Sequence, residues 1–155
     1  MKQFVFFLGF LLVLIAARPV GGGYSLGDNV DDFRLKNVDG KTVSLADYSS
    51  SKGVIVIFDC NTCPFSKAYN DRIIALHSKY SSVGFPVVAI NANDPDQSPG
   101  DSFQAMVSNA KKKNYNFPYL VDEDQRVAKA FGATNTPHVF VLKRDGSDFK
   151  VAYIG

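Results

Sequence analysis

Cys60 and Cys63 are the only two cysteines of the 155-residue chain, and Asn61 and Thr62 separate them. A pair at this spacing stores two electrons when it closes into a disulfide. It also exchanges foreign disulfides: one thiolate forms the mixed disulfide and the second sulfur resolves it. Between a buried strand and an amphipathic helix, Cys-x-x-Cys reads as a redox motif. A purely structural bridge here would close a very short loop and remove little unfolded-chain entropy. Structural zinc would need a full tetrahedral set of ligands. The only histidines, His77 and His138, lie far apart in the chain, and His77 is expected on the surface.

The pair sits at a junction. Residues 54–58, Val-Ile-Val-Ile-Phe, are continuous and mostly β-branched, the pattern of a strand buried on both faces. Residues 65–80 place Tyr69, Ile73, Leu76 and Tyr80 along one helical stripe. Cys60 is therefore expected exposed at the helix N-terminus, where the partial positive charge favours a thiolate. Cys63, nearly a turn further, is expected shielded and resolving. Pro64 fits because the first helical turn lacks most intrahelical N–H bonds. Asp59 adjoins the pair, and its charge would raise a thiol pKa. It is expected to point into solvent, with proton relay as the alternative.

The remaining pattern is α/β. Segments 32–36 and 41–45 flank Asp39-Gly40, a hairpin signal. A second buried strand is expected over 87–90, a polar loop over 91–100, and a helix through Phe103, Met106, Val107 and Ala110. Lys111, Lys112 and Lys113 form its solvated last turn. Residues 117–121 are extended. A helix over 123–131 is expected, capped by Asp122 and ended by Gly132. Strands follow at 138–142 and 151–154 around Asp145-Gly146. Two strand-to-strand passages through helices imply parallel neighbours with right-handed crossovers.

Composition sets the class. The chain is 46% hydrophobic and 21% charged, with thirteen Phe, seven Tyr and no Trp. This excludes disorder, collagen-like repeats, a disulfide-dense miniature and a multi-span membrane protein. Seventeen basic against fifteen acidic residues is too balanced for a dedicated nucleic-acid binder. At the N-terminus, Lys2 precedes an uncharged run over 4–17 that is too short to span a bilayer and fits a signal peptide. An uncleaved anchor is the alternative, and the only case implying a membrane. No cysteine follows the run closely, so a lipidated N-terminus is not expected. The division is 1–23, signal or anchor plus Gly-rich joint, and 24–155, folded domain. The expected location is the periplasm or cell envelope of a bacterium, where disulfides persist.

Over 24–155 the chain resembles the thioredoxin superfamily. It is similar to the exported, TlpA/ResA-like thiol–disulfide oxidoreductases that border the AhpC-type peroxiredoxins. The resemblance rests on DDFRLKNVDGKTVSLADY, VIVIFDCNTCP and FPYLVDEDQRVAKAFGATNTPHVFVLKRDG. It implies a thioredoxin-like fold: a central mixed sheet flanked by helices, with an N-terminal hairpin. It implies disulfide exchange with exported proteins and a separate partner that resets the pair. The only redox group is the Cys60–Cys63 disulfide, without cofactor or metal. The family's cis proline matches Pro137, after Thr136, whose free backbone would hold an extended substrate.

The sequence departs from the family at several points. Asn61-Thr62 replaces the familiar Gly-Pro, which leaves the direction of electron flow open. No acid interrupts the strand before Asp59. Cys60 stands where peroxiredoxins carry a Thr three residues before their reactive Cys-Pro, which favours disulfide exchange over peroxide reduction. The family's helix after the final hairpin is either lost here or cut off by truncation of the sequence, and the sheet face it would cover is expected to expose apolar side chains. Two rival readings are a thiol peroxidase and a copper-binding or copper-delivery protein using His138 as an extra ligand.

Overall fold

The computed structural model describes residues 22–155. The signal or anchor expected over 1–23 therefore lies almost wholly outside the described residues. Strands β1 (Asn29–Val30), β2 (Arg34–Asn37), β3 (Thr42–Ser44), β4 (Gly53–Phe58), β5 (Val87–Asn91), β6 (Tyr119–Val121), β7 (His138–Asp145) and β8 (Asp148–Ile154) form one sheet. Its order is β1-β8-β7-β4-β5-β6-β2-β3. β4 pairs parallel with β5, and β5 with β6. β7 pairs antiparallel with β4, and β8 with β7. The leading hairpin joins through β2, antiparallel to β6. Helices α1 (Pro64–Tyr80), α2 (Phe103–Lys113) and α3 (Arg126–Phe131) complete the α/β fold. Among the described residues no helix is long and apolar enough to cross a membrane.

All six residues of β4 are buried, because the strand separates two cores and its side chains alternate between them. Val54, Val56 and Phe58 join Phe131, Phe140, Leu142 and Phe149 on one side. Ile55 and Ile57 join Ile73 of α1 and Met106 and Ala110 of α2 on the other. Phe131 meets Tyr24, Phe33, Phe58 and Phe140 edge-on at 5.1–6.4 Å between ring centroids, a favoured aromatic geometry. Gly53 starts β4 where any Cβ would fall 2.2 Å from the Leu142 carbonyl oxygen and 2.3 Å from the Phe85 ring.

Several expectations need correction. The buried face of α1 is Ser66, Asn70 and Ile73, while Tyr69 and Tyr80 are exposed. The helix turns a polar edge inward near the cysteines, so apolar periodicity mislocated its inner face. α3 begins at Arg126, not at residue 123, because residues 122–125 form a turn with Gln125 at φ 58°. Asp122 still serves the helix, accepting from the Ala128 N–H at 2.8 Å. His77 is half-buried, its Nδ1 accepting from the Val87 N–H at 3.1 Å. β1 has only two residues, too short for a sequence pattern.

Candidate active site

The chain leaves β4 at Phe58, and the Asp59 N–H still pairs with the Ile90 carbonyl at 2.9 Å. Asp59 and Cys60 are thus carried inward and are 1% and 2% exposed. A turn through Asn61 and Thr62 brings the chain to the surface at Cys63. Cys63 is the N-cap of α1, with Pro64 at the first helical position. The Cys63 carbonyl accepts the helix's opening bond from the Lys67 N–H at 3.0 Å. Proline favours that position because its fixed φ suits a helix start and no N–H is wasted.

This arrangement reverses the expected exposure of the two thiols. Cys63, not Cys60, occupies the partly open helix N-terminus, and Cys60 is the shielded one. The physical cause is the helix boundary: it starts after the second cysteine, where Pro64 sets it. The Cys63 thiol lies below its ordinary pKa, first through the Ser66 N–H and then through the Thr136 hydroxyl, against a smaller opposing effect of burial. Both stabilise the thiolate.

The two sulfurs share one neighbour. Thr136 Oγ1 lies 3.2 Å from Cys60 Sγ, and the Thr136 carbonyl accepts from the Cys63 thiol at 3.3 Å. The Thr136–Pro137 peptide bond is cis. The Thr136 carbonyl, expected free for substrate, is occupied by Cys63 in this dithiol form. Cys63 N–H points at Cys60 Sγ, 3.3 Å away, and the Cys60 thiol reaches Ser66 Oγ at 3.6 Å. Pro64 bears on the site through the helix start it sets.

Asp59 does not point into solvent. It is buried, and among the described residues neither carboxylate oxygen has a hydrogen-bond partner. Burial pushes its pKa up; the nearby Ser66 hydroxyl and Cys60 N–H oppose this without meeting either oxygen at bonding geometry, and Asp101 adds to the rise.

Asn61 and Thr62 are held by residues the sequence reading passed over. The buried Asp101 carboxylate accepts from the Asn61 N–H at 2.6 Å and the Thr62 hydroxyl at 2.6 Å. Asn61 Oδ1 accepts from Asn109 Nδ2 at 2.9 Å and the Tyr119 hydroxyl at 3.1 Å. Tyr115 donates to Asn70 Oδ1 at 2.8 Å. The sequence signal was a cluster of Asn, Asp and Ser around residues 91–102, legible only as a loop. His138 packs its ring on Phe140 with centroids 4.6 Å apart, and its Nδ1 faces the Thr134 N–H at 3.4 Å.

The AhpC/TSA family model matches residues 26–149. The chain belongs to the AhpC/TSA family. This redoxin is 29% identical over 152 residues to the thiol-disulfide oxidoreductase ResA of Bacillus subtilis, covering 92% of this chain and 80% of that relative. It is 40% identical to an uncharacterized conserved protein of Geobacillus kaustophilus, with a TM-score of 0.80 over 85% of this chain and 69% of that one. The exposed lipoprotein thioredoxin of Streptococcus pneumoniae shares the fold at 23% identity, TM-score 0.66, over 81% of this chain and 88% of that one. The redoxin is thus a thioredoxin-superfamily oxidoreductase of the TlpA/ResA type, and its general activity is thiol–disulfide exchange.

Proposed function

We propose that this redoxin exchanges disulfides with protein clients outside the cytoplasm, Cys63 attacking and Cys60 resolving. The observation that carries the reading is the asymmetry of the thiols. Cys63 caps α1 with its pKa lowered, while Cys60 is buried three residues behind it. The Cys63 thiolate attacks a client disulfide, forming a Cys63–client bond and releasing one client thiolate. Cys60 then attacks Cys63 Sγ, closing Cys60–Cys63 and releasing the second client thiol. The client gains two electrons and the pair loses two. A reducing dithiol partner reverses the sequence.

Cys60 must lose its proton as it attacks. Asp59 is the adjacent group: its raised pKa makes its ionised carboxylate a stronger base than a free one, so that form takes the Cys60 proton and becomes neutral, with Ser66 close to both groups. Thr136 and Pro137 form the client-facing side, and an incoming chain displaces the Cys63 thiol from the Thr136 carbonyl. The pair itself is the redox group, so no cofactor is required. Export is supported by the signal-like composition of residues 1–23.

Trapping in cell-envelope extracts tests the assignment. Cys60→Ser accumulates mixed disulfides with client proteins, and Cys63→Ser accumulates none. The opposite pattern would exchange the roles. Faster turnover with hydroperoxide than with protein disulfides would instead make the redoxin a peroxidase.

A further inference from the structure

We infer that Asp101 and its 98–101 turn are a clamp on the Asn61-Thr62 dipeptide that presets Cys60 for ring closure with Cys63. The inference rests on the disulfide-exchange reading and adds positioning residues remote in sequence from the pair.

Asp101 is 2% exposed, and its hydrogen-bond partners among the described residues are neutral donors. Its carboxylate gathers the Asn61 N–H at 2.6 Å, the Thr62 hydroxyl at 2.6 Å, the Ser98 hydroxyl at 2.6 Å, and the side-chain amides of Asn91 and Asn93 at 3.0 Å each. Burial disfavours its charge, and these donors more than offset that, leaving its pKa lowered. A buried carboxylate so surrounded is ionised and sterically fixed, because losing any donor leaves a desolvated charge short of a partner. Two of the donors belong to the dipeptide between the cysteines.

The rest of the turn grips the same two residues. Asn61 Nδ2 donates to the Gly100 carbonyl at 2.9 Å, and Thr62 Oγ1 lies 3.2 Å from Ser98 Oγ. A Cβ on Gly100 would fall 2.7 Å from the Thr62 methyl, so glycine lets the turn close onto the dipeptide. Asn91, at the end of β5, ties the turn to the sheet. The dipeptide is therefore anchored to the core and not only to its own helix.

The consequence concerns the second chemical step. With the turn fixed, Cys60 Sγ stays beside the Cys63 N–H and Thr136 Oγ1. It then meets Cys63 Sγ at high effective concentration. Freed, the dipeptide samples other conformers and closure slows. The first step, attack by Cys63, depends on the start of α1 and on Thr136, and so is largely independent of the clamp.

Full-length protein is reduced and mixed with oxidised glutathione. Cys63 attacks it and releases one glutathione thiolate, and Cys60 then displaces the other. Asp101→Asn keeps the shape and removes the anion. Thr62→Val removes one donor without changing charge, and Thr62→Ser restores the hydroxyl. In Asp101→Asn and Thr62→Val the glutathione adduct on Cys63 should persist about tenfold longer, and the equilibrium constant for closure should fall by a similar factor. Thr62→Ser should return both toward the parent values. Agreement of the charge-neutral Thr62→Val with Asp101→Asn separates geometry from electrostatics. If folded Thr62→Val closes at the parent rate, the clamp is refuted while the exchange mechanism stands. If the parent protein itself never closes Cys60–Cys63, the exchange reading fails.

Discussion

At the residue scale, the account turns on two adjacent side-chain environments. The Cys63 thiol is held below its ordinary pKa first by the Ser66 N–H and then by the Thr136 hydroxyl. Its rate of reaction with iodoacetamide should therefore rise with a midpoint below the ordinary thiol value of about 8.5. Thr136→Val should move that midpoint upward, which a pH series of alkylation rates measures. Asp59 makes a second prediction. Its folded pKa is raised above an unfolded value of 3.8, so the folded state binds the proton more tightly. Stability is then greatest below the unfolded pKa and declines as pH rises toward the folded one. Asp59→Asn should thus stabilise the protein at neutral pH, by about 1–3 kcal/mol. That advantage should vanish in denaturation curves taken below the unfolded value. The same variant should slow resolution by Cys60. The sequence announced Cys60 and Cys63 by type and spacing, and Thr136 and Pro137 through the family resemblance. It did not announce Asp59's burial, because a charged residue beside a strand end carries no pattern that fixes its direction.

At the element scale, the decisive feature is where α1 starts. The Cys-Pro pair already contained the information: proline prefers the first helical position, which makes the preceding cysteine the cap. Reading the helix from the first cysteine instead inverted the two thiols. β4, β5, β7 and the hairpin turns were legible because their apolar runs and Asp-Gly pairs are local signals. The inner face of α1 was not, since Ser66 and Asn70 are buried for hydrogen bonding rather than for apolar contact. α3 began late for a similar reason: the turn at 122–125 is held by the Asn91 and Ala92 carbonyls, which are distant in sequence. At this scale Gly53→Ala is a sharp test. Its Cβ meets backbone and an aromatic ring, and overpacking of this kind costs about 1–3 kcal/mol. Urea denaturation should register that loss.

At the scale of the whole molecule, the sheet divides labour between its faces. One face is closed by an aromatic cluster centred on Phe131. The other carries α1 and α2, and with them the polar network beneath the dithiol. Phe131→Ala should therefore cost about 3–5 kcal/mol, measured by thermal or chemical denaturation. The remaining folded fraction should keep the parent ratio of Cys63 to Cys60 alkylation. Composition alone set the domain class, and the alternation of strand and helix foretold the parallel β4–β5 pair. The second expected parallel passage needs correction: the strand at 138–142 joins β4 antiparallel, and the short 119–121 strand takes the place beside β5. The tie from the 98–101 turn to the site was invisible, because it joins residues some forty positions apart through side chains.

The order of the two cysteines is tested most directly by following reduced wild-type protein after addition of oxidised glutathione. Samples are acid-quenched at successive times and mapped by mass spectrometry. Fragmentation of the peptide that carries both cysteines should place glutathione first on Cys63, and the adduct should then leave as the Cys60–Cys63 disulfide forms. A first adduct on Cys60, or an adduct on Cys63 that never gives way to the internal disulfide, would contradict the account.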